Sequence, residues 1–197
     1  MLNIGVLVSG GGTNLQAIID ETLAGDINGK VKVVISNKED AYGLERARQN
    51  NIDDVFETDE DKVIEVLKNH NIDLVVLAGY LKIISPKFVN EFKNKIINIH
   101  PSLIPSFCGK GYYGQKVHQG VIDYGAKVTG ATVHFVDEGA DTGAIIMQET
   151  VEVKDDDDAI SLAKRVLEIE HKILKKSISL FCENKLSIQG RRVFINE

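Results

Sequence analysis

The sequence predicts a doubly wound α/β fold, a single domain on a mostly parallel sheet with helices on both faces. Three observations predict it. Short apolar runs alternate with amphipathic stretches across the first 100 residues, the order that builds a parallel sheet with crossover helices. The runs are continuously apolar, as strands buried on both faces require, whereas a sheet with one wet face would alternate. A glycine-rich turn, Ser9-Gly10-Gly11-Gly12-Thr13-Asn14, joins the first run to the first helical pattern, where backbone N–H groups and a helix N-terminus can hold an anion.

The elements follow in order. Residues 4–8 form the first strand, and Leu15, Ile18, Ile19 and Leu23 then recur at helical spacing. Residues 31–35 give a second strand, Val63, Ile64 and Leu67 another helix, and residues 74–77 and 96–99 a third and a fourth strand. Residues 106–114, rich in glycine and aromatics, predict a loop, and Val117, Val121 and Ile122 a short helix. Residues 128–136 alternate like a strand with one polar face, with residues 145–151 as its expected neighbour. From about Asp158 a long helix is expected to carry Ile160, Ala163, Val166, Leu167, Ile173, Leu174 and Ile178 inward. Residues 186–194, around Gln189-Gly190, predict a hairpin. No repeat and no Pro/Ser linker interrupts the 197 residues, a length that can bury a proper core.

Composition narrows the function classes. With 43% hydrophobic and 26% charged residues the chain is an ordinary globular one. A net charge of −6 and the lack of any long Lys/Arg run speak against nucleic-acid and membrane partners. Cys108 and Cys182 belong to no CxxC pattern, so neither a disulfide framework nor a zinc site is expected, and a cytoplasmic location is. The opening MLNIGVLVSGGG lacks a basic n-region and a cleavage site and reads as a buried strand.

Three motifs carry candidate chemistry. The glycine turn fits a dinucleotide poorly, because Leu15 stands where the third glycine belongs and Ser36-Asn37-Lys38 supplies no acidic ribose ligand. A single terminal phosphate suits it better; the plainer alternative is a turn in which Thr13 or Asn14 caps the helix. Asn98 and His100, two apart on a strand that Pro101 ends, share one face near the carboxyl edge of the sheet. An amide beside an imidazole suits a developing oxyanion, although a turn histidine satisfied by backbone has the same sequence. Asp141, between Gly139 and Gly143, can orient His100 or position a water, or it is a solvated loop acid like Asp137 and Glu138. His134 faces the same cleft or is a packed strand histidine. His70 is expected at the surface and His118 on a helix face. Asp155, Asp156, Asp157 and Asp158 precede the long helix and complement its positive end; with no His/Cys cluster, no metal is expected.

Together these residues resemble the folate-dependent formyltransferase family. The phrase Asn98-Ile-His100-Pro-Ser-Leu-Ile-Pro-Ser106, followed by the segment from His134 to Asp141, is very specific to it. The opening through Ile18, Ser36-Asn37-Lys38 and Tyr42-Gly-Leu-Glu-Arg-Ala look like its phosphoribosylglycinamide branch. The resemblance implies one formyltransferase domain over 1–197, with a Rossmann-like, phosphate-binding half at 1–100 and a folate-binding and catalytic half at 101–197. It implies that Asn98, His100 and Asp141 are the catalytic trio. Gly12, Thr13, Asn14 and Glu170 match ribonucleotide contacts. Leu81, Lys82, Ile83 and Ile84, with Asn98 and with Asp137, Glu138, Gly139, Ala140 and Asp141, match the folate site. Lys82 stands where many relatives have Arg.

The chemistry so implied is attack by the amine of glycinamide ribonucleotide on the formyl carbon of 10-formyltetrahydrofolate, a cosubstrate, as a step of purine synthesis. The resemblance leaves monomer or homodimer open. A formyltetrahydrofolate hydrolase uses the same trio but normally carries an N-terminal regulatory domain, and here the first strand begins at residue 2. A methionyl-tRNA formyltransferase needs an RNA-binding C-terminal domain. A non-catalytic mononucleotide sensor explains the glycine turn and leaves the trio without a shared purpose.

Overall fold

The computed structural model describes residues 1–196. In chain order the elements are β1 (Leu2–Val8), α1 (Thr13–Ala24), β2 (Gly29–Ser36), α2 (Tyr42–Gln49), β3 (Asp53–Phe56), α3 (Glu60–Asn69), β4 (Leu74–Leu77), α4 (Pro86–Glu91), β5 (Ile96–His100), α5 (Gln115–Tyr124), β6 (Val128–Phe135), β7 (Ile145–Glu152), α6 (Ala159–Cys182), β8 (Leu186–Gln189) and β9 (Arg192–Ile195). The strands form one sheet in the order β3-β2-β1-β4-β5-β6-β7-β9-β8. β1 pairs in parallel with β2 and β4, β2 with β3, and β4 with β5. The order reverses between β1 and β4, and in open α/β sheets that is where the ligand crevice lies. Beyond β5 the sheet turns antiparallel, through β6 and β7, and closes on the hairpin of β8 and β9.

The expected continuous strands are buried on both faces: Val6, Leu7, Val33, Val34, Val75 and Val76 are all fully inaccessible. Two hydrophobic clusters cover the sheet. Side chains of α1, α2, α5 and α6 pack on one face and those of α3 and α4 on the other, so the fold is doubly wound.

Three elements have no expectation to match them. β3 reads DDVF and is only partly buried at the sheet edge, so it shows no apolar run. α2 buries only Gly43, Leu44 and Ala47, and α4 is six residues long, too short to display a period. Two expected core positions are corrected. Ile160 is 58% exposed, because it lies in the first turn of α6, ahead of the helix's first buried residue Leu162. Leu23 is 73% exposed in the last turn of α1. The polar face expected of β6 is not solvent-facing: Thr132 and His134 are buried. Thr132 donates its hydroxyl to Ser102 O at 2.6 Å and accepts Ile104 N–H at 3.1 Å, so the segment after β5 covers that face. Of the four acids before α6 only Asp158 caps its N-terminus, while Asp155 pairs with Lys127 at 2.9 Å. Asp158 accepts the N–H groups of Ile160 and Ser161, Ser161 Oγ accepts Asp158 N–H, and Asp157 pairs with Arg165.

Candidate active site

β5 ends with Asn98 and His100 on one face and Ile99 in the core on the other. The antiparallel register sets Asn98 opposite His134 of β6, which delivers His134 to the same place. Asp141 follows on the loop after β6 with φ +58°, the left-handed region that Asp tolerates better than most residues. Gly143 supports that turn, since a Cβ there would lie 1.7 Å from Phe135 O.

Asn98, His100, His134 and Asp141 form one contact group. Asn98 Nδ2 lies 3.1 Å from His134 Nε2 and donates to Asp141 Oδ1 at 3.4 Å. His134 Nδ1 faces Phe135 O at 2.8 Å, and a carbonyl only accepts. Nδ1 therefore carries a proton, and Nε2, which is also 3.6 Å from Asp141 Oδ1, accepts Asn98's N–H in the neutral ring and turns a proton toward Asp141 in the charged one. His100 Nε2 donates to Phe107 O at 2.9 Å, which leaves Nδ1 facing Asp141 Oδ2 at 3.6 Å. That distance is too long for a hydrogen bond and close enough for charge to act. Both nitrogens of His100 thus face acceptors, an arrangement that the imidazolium satisfies fully and the neutral ring only in part. Gly109 N–H donates to Asp141 Oδ2 at 2.9 Å. Burial pushes the Asp141 carboxyl up, but His134, the charge of His100 and the Gly109 N–H outweigh it and hold the group below the usual carboxylate range.

These side chains line a cavity of about 580 Å³, whose far wall is the glycine turn. Gly12 sits at φ +68° as the N-cap of α1, and no side chain caps that helix, so the plainer capping role of Thr13 or Asn14 is not what the turn does. The carbonyls of Gly10 and Gly11 are engaged by Gly43 N–H and Arg46 Nε, at 2.9 and 2.7 Å. The uncapped N–H groups of the first turn are left for an anion. Asn14 is buried, and its Nδ2 donates to Glu170 Oε2 of α6 at 2.8 Å. Burial pushes Glu170 up to about 7, against the lowering effect of Asn14. Among the described residues no group of three or more His, Cys, Asp or Glu could hold a metal ion, and no helix is long and apolar enough to cross a membrane.

A family model described as formyl transferase matches residues 2–178. The chain belongs to the formyl transferase family. The phosphoribosylglycinamide formyltransferase of Haemophilus influenzae is 41% identical over 206 aligned positions, covering 100% of this chain and 94% of that one. A chloroplastic phosphoribosylglycinamide formyltransferase of Vigna unguiculata is 42% identical over 93% of this chain, but the chain spans only 62% of that relative's length. The crystal structure of glycinamide ribonucleotide transformylase 1 from Symbiobacterium toebii superposes with a TM-score of 0.94 at 43% identity, over 100% of this chain and 95% of that one.

Within this member of the formyl transferase family, nearly all the expected site residues meet at one cavity. Gly12, Thr13, Asn14 and Glu170 form one part of its wall, and Leu81, Lys82, Ile83 and Ile84 another. Asn98, His100, His134, Asp137, Gly139, Ala140 and Asp141 line it too, whereas exposed Glu138 does not. Glu138 turns to solvent beside Asp137, whose Oδ1 accepts Gly139 N–H at 3.1 Å and pins the turn. Lys82 Nζ donates to Thr58 O at 2.8 Å, so its charge is spent on the 56–62 segment.

Ser9 had drawn no attention beyond its turn, yet its Oγ donates to Asn37 Oδ1 at 2.6 Å and accepts Leu81 N–H at 2.9 Å, tying together the ends of β1, β2 and β4. The expected surface position of His70 is also corrected. Its ring is largely covered, with Nδ1 on Val66 O and Nε2 3.0 Å from Asp53. His118 was expected merely on a helix face; it is buried and lines the cavity. The signal was present, since His118 stands four residues before Ile122 and three before Val121 on the buried stripe of α5.

Proposed function

We propose that this chain transfers the formyl group of 10-formyltetrahydrofolate to the amine of glycinamide ribonucleotide, a step of purine synthesis. The observation that carries this is the joining of Asn98, His100, His134 and Asp141 on the same cavity as an uncapped helix N-terminus. One end suits a phosphate, and the other suits an acyl oxygen that gains charge.

The residues divide the work as follows. Asn98 is fixed by His134, and its longer bond to Asp141 Oδ1, 3.4 Å, is the one that a formyl oxygen replaces. His100, held by Phe107 O, presents Nδ1 toward the same point and donates from it when the ring is protonated. Both groups oppose the negative charge that grows on the formyl oxygen as the amine attacks. Asp141 is a weak base because its carboxyl is held below the usual range; it serves as countercharge to His100 and as an acceptor. The pterin end of the folate would lie against Leu81, Ile83 and the turn at Gly139 and Ala140, where apolar side chains and small residues leave room for a flat ring.

Phosphate binding falls in the 1–100 half, joined by Glu170, and folate chemistry in the 101–197 half, joined by residues 81–84, Asn98 and His100. Both partners are small molecules, no nucleic acid or membrane takes part, and the setting is the reducing cytoplasm, where the free thiols of Cys108 and Cys182 persist. The test is to incubate the protein with 10-formyltetrahydrofolate, with and without glycinamide ribonucleotide, and follow folate absorbance. Consumption only with the amine is expected. Equal consumption without it indicates a hydrolase, and none in either case a binding module.

A further inference from the structure

Of the histidines on the cavity wall, His118 alone takes no part in the steps above. It stands on α5, is 5% exposed, and lines the cavity. Its Nδ1 is buried and has no hydrogen-bond partner among the described residues. Burial, then the charge of nearby His100, pull the ring down to about 4. At neutral pH it is therefore an uncharged imidazole with one N–H and one lone pair. No group among the described residues bonds either ring nitrogen, and Nδ1 is sealed away, so Nε2 is the atom left to meet a partner from outside the chain at the cavity that the ring lines.

Topology narrows which molecule supplies that partner. α5 packs on α6, and α6 on α1, on the face of the sheet that also bears the glycine turn and Glu170. The segment at residues 81–84, expected for folate, runs into α4 on the opposite face. Within the first wall, Glu170 is tied to Asn14 at the phosphate end, whereas His118 feels His100 at the reacting end. The group beside it is then the part of the ribonucleotide between ribose and amine, which is an uncharged amide.

We propose that His118 is a substrate-contact residue whose neutral ring hydrogen-bonds the amide of the glycinamide arm. This rests on the function proposed above. The ring sets which amine acceptors fit, because an amide offers both a donor and an acceptor to an imidazole that can supply the complement of either.

The experiment compares wild type, His118→Phe and His118→Gln. Phe keeps a ring and removes the polar atoms; Gln places an amide nitrogen near the position of Nε2. For each, calorimetry gives the Kd of glycinamide ribonucleotide and of ribose 5-phosphate, the assay gives KM and kcat, and heating gives Tm. His118→Phe is expected to raise the ribonucleotide Kd and KM roughly three- to tenfold. Its kcat should stay within about twofold, since a lost ground-state contact acts on KM. Ribose 5-phosphate should bind it as it binds wild type, and its Tm should be unchanged or higher, because an unpaired buried nitrogen is gone. His118→Gln should recover part of the lost affinity.

Unchanged ribonucleotide affinity in His118→Phe overturns the proposal. Equal weakening of ribose 5-phosphate overturns the amide contact in favour of the sugar or phosphate. A fall in Tm with affinity lost in both variants marks a structural histidine and also overturns it. A wild type that neither binds nor formylates the ribonucleotide removes the proposed function and this contact together, whereas an active wild type with an indifferent variant removes the contact alone.

Discussion

Asn98 stands between two acceptors, His134 Nε2 and Asp141 Oδ1, and only the nearer of these bonds is short. That imbalance makes Asn98 a donor held ready: His134 orients the amide, and the stretched bond is exchanged when a better acceptor arrives. Asn98→Ala should lower kcat by roughly 10²–10³, the usual cost of one oxyanion donor, with little change in ribonucleotide affinity. Single-turnover rates on the folded variant measure this, and near wild-type turnover would remove Asn98 from the centre. Asp141→Asn keeps the shape and removes the countercharge of His100, so kcat should fall as well. The same substitution has a signature in stability. The Asp141 carboxyl lies below its ordinary value of 3.8 in the folded protein, so its contribution is fully present above that value and is lost as pH falls beneath it. Urea unfolding of wild type and Asp141→Asn should therefore differ at pH 6 and converge as pH falls below 3.8 and through the carboxyl's lowered value. A gap that persists in acid would mean that the charge of Asp141 contributes nothing to the fold.

The turn between β1 and α1 shows how an element sets the chemistry available to a ligand. Gly12 is required by its own backbone: φ is +68°, and a Cβ would lie 2.9 Å from Gly43 Cα. Replacing it disturbs the packing of α2 on the turn as well as the site, so Gly12→Val cannot isolate binding. Gly11 can, since a Cβ there meets nothing within 4 Å. Gly11→Val should fill the phosphate end of the cavity and raise the ribonucleotide KM by at least about tenfold, roughly 1.4 kcal/mol, while kcat at saturation stays near wild type. A matching loss of kcat would place the turn in the chemistry. This turn was legible in the sequence because it is local: a glycine triplet between an apolar strand and a helical period has few other uses. The strand ending in Asn98 and His100 was legible for the same reason, through period-two alternation stopped by Pro101. The loop between β5 and α5 was not. Phe107 O and Gly109 N–H fix His100 and Asp141 through main-chain atoms, and main-chain atoms leave no mark on residue identity. His118 reads as an ordinary helix position until α5 is known to pack beside the cavity.

Across the whole molecule the sheet order places the site. Strands β1, β4 and β5 end side by side at the point where the order reverses, so the glycine turn, the 81–84 segment and the Asn98–His100 pair meet although they lie far apart in sequence. The parallel half was legible because its strands are apolar throughout. β3, α2 and α4 were not, because short or edge elements carry too few buried residues to show a period. The far end of the chain returns to complete the site: Glu170 on α6 bonds Asn14 on α1, a separation of 156 positions. That return has a cost in stability with a defined pH window. Burial raises Glu170 from 4.5 to about 7 in the folded protein, so folding favours the protonated acid. Below pH 4.5 both states hold the proton; as pH rises from 4.5 to about 7 the unfolded chain loses it while the folded one keeps it, so stability falls across that window and is level above it. Glu170→Gln removes the ionisation and keeps an oxygen to accept from Asn14. Its Tm should match that of wild type near pH 4.5 and exceed it at pH 8, measured without ligand. If Glu170 is the ribonucleotide contact proposed, affinity should move the opposite way at pH 8, because a carboxylate accepts hydrogen bonds from hydroxyls more strongly than a neutral amide does. A variant with higher Tm and unchanged affinity would show that the buried charge serves neither the fold nor the ribonucleotide. A variant with lower Tm at pH 8 would show that the Asn14–Glu170 pair holds α1 against α6 as a charged bond.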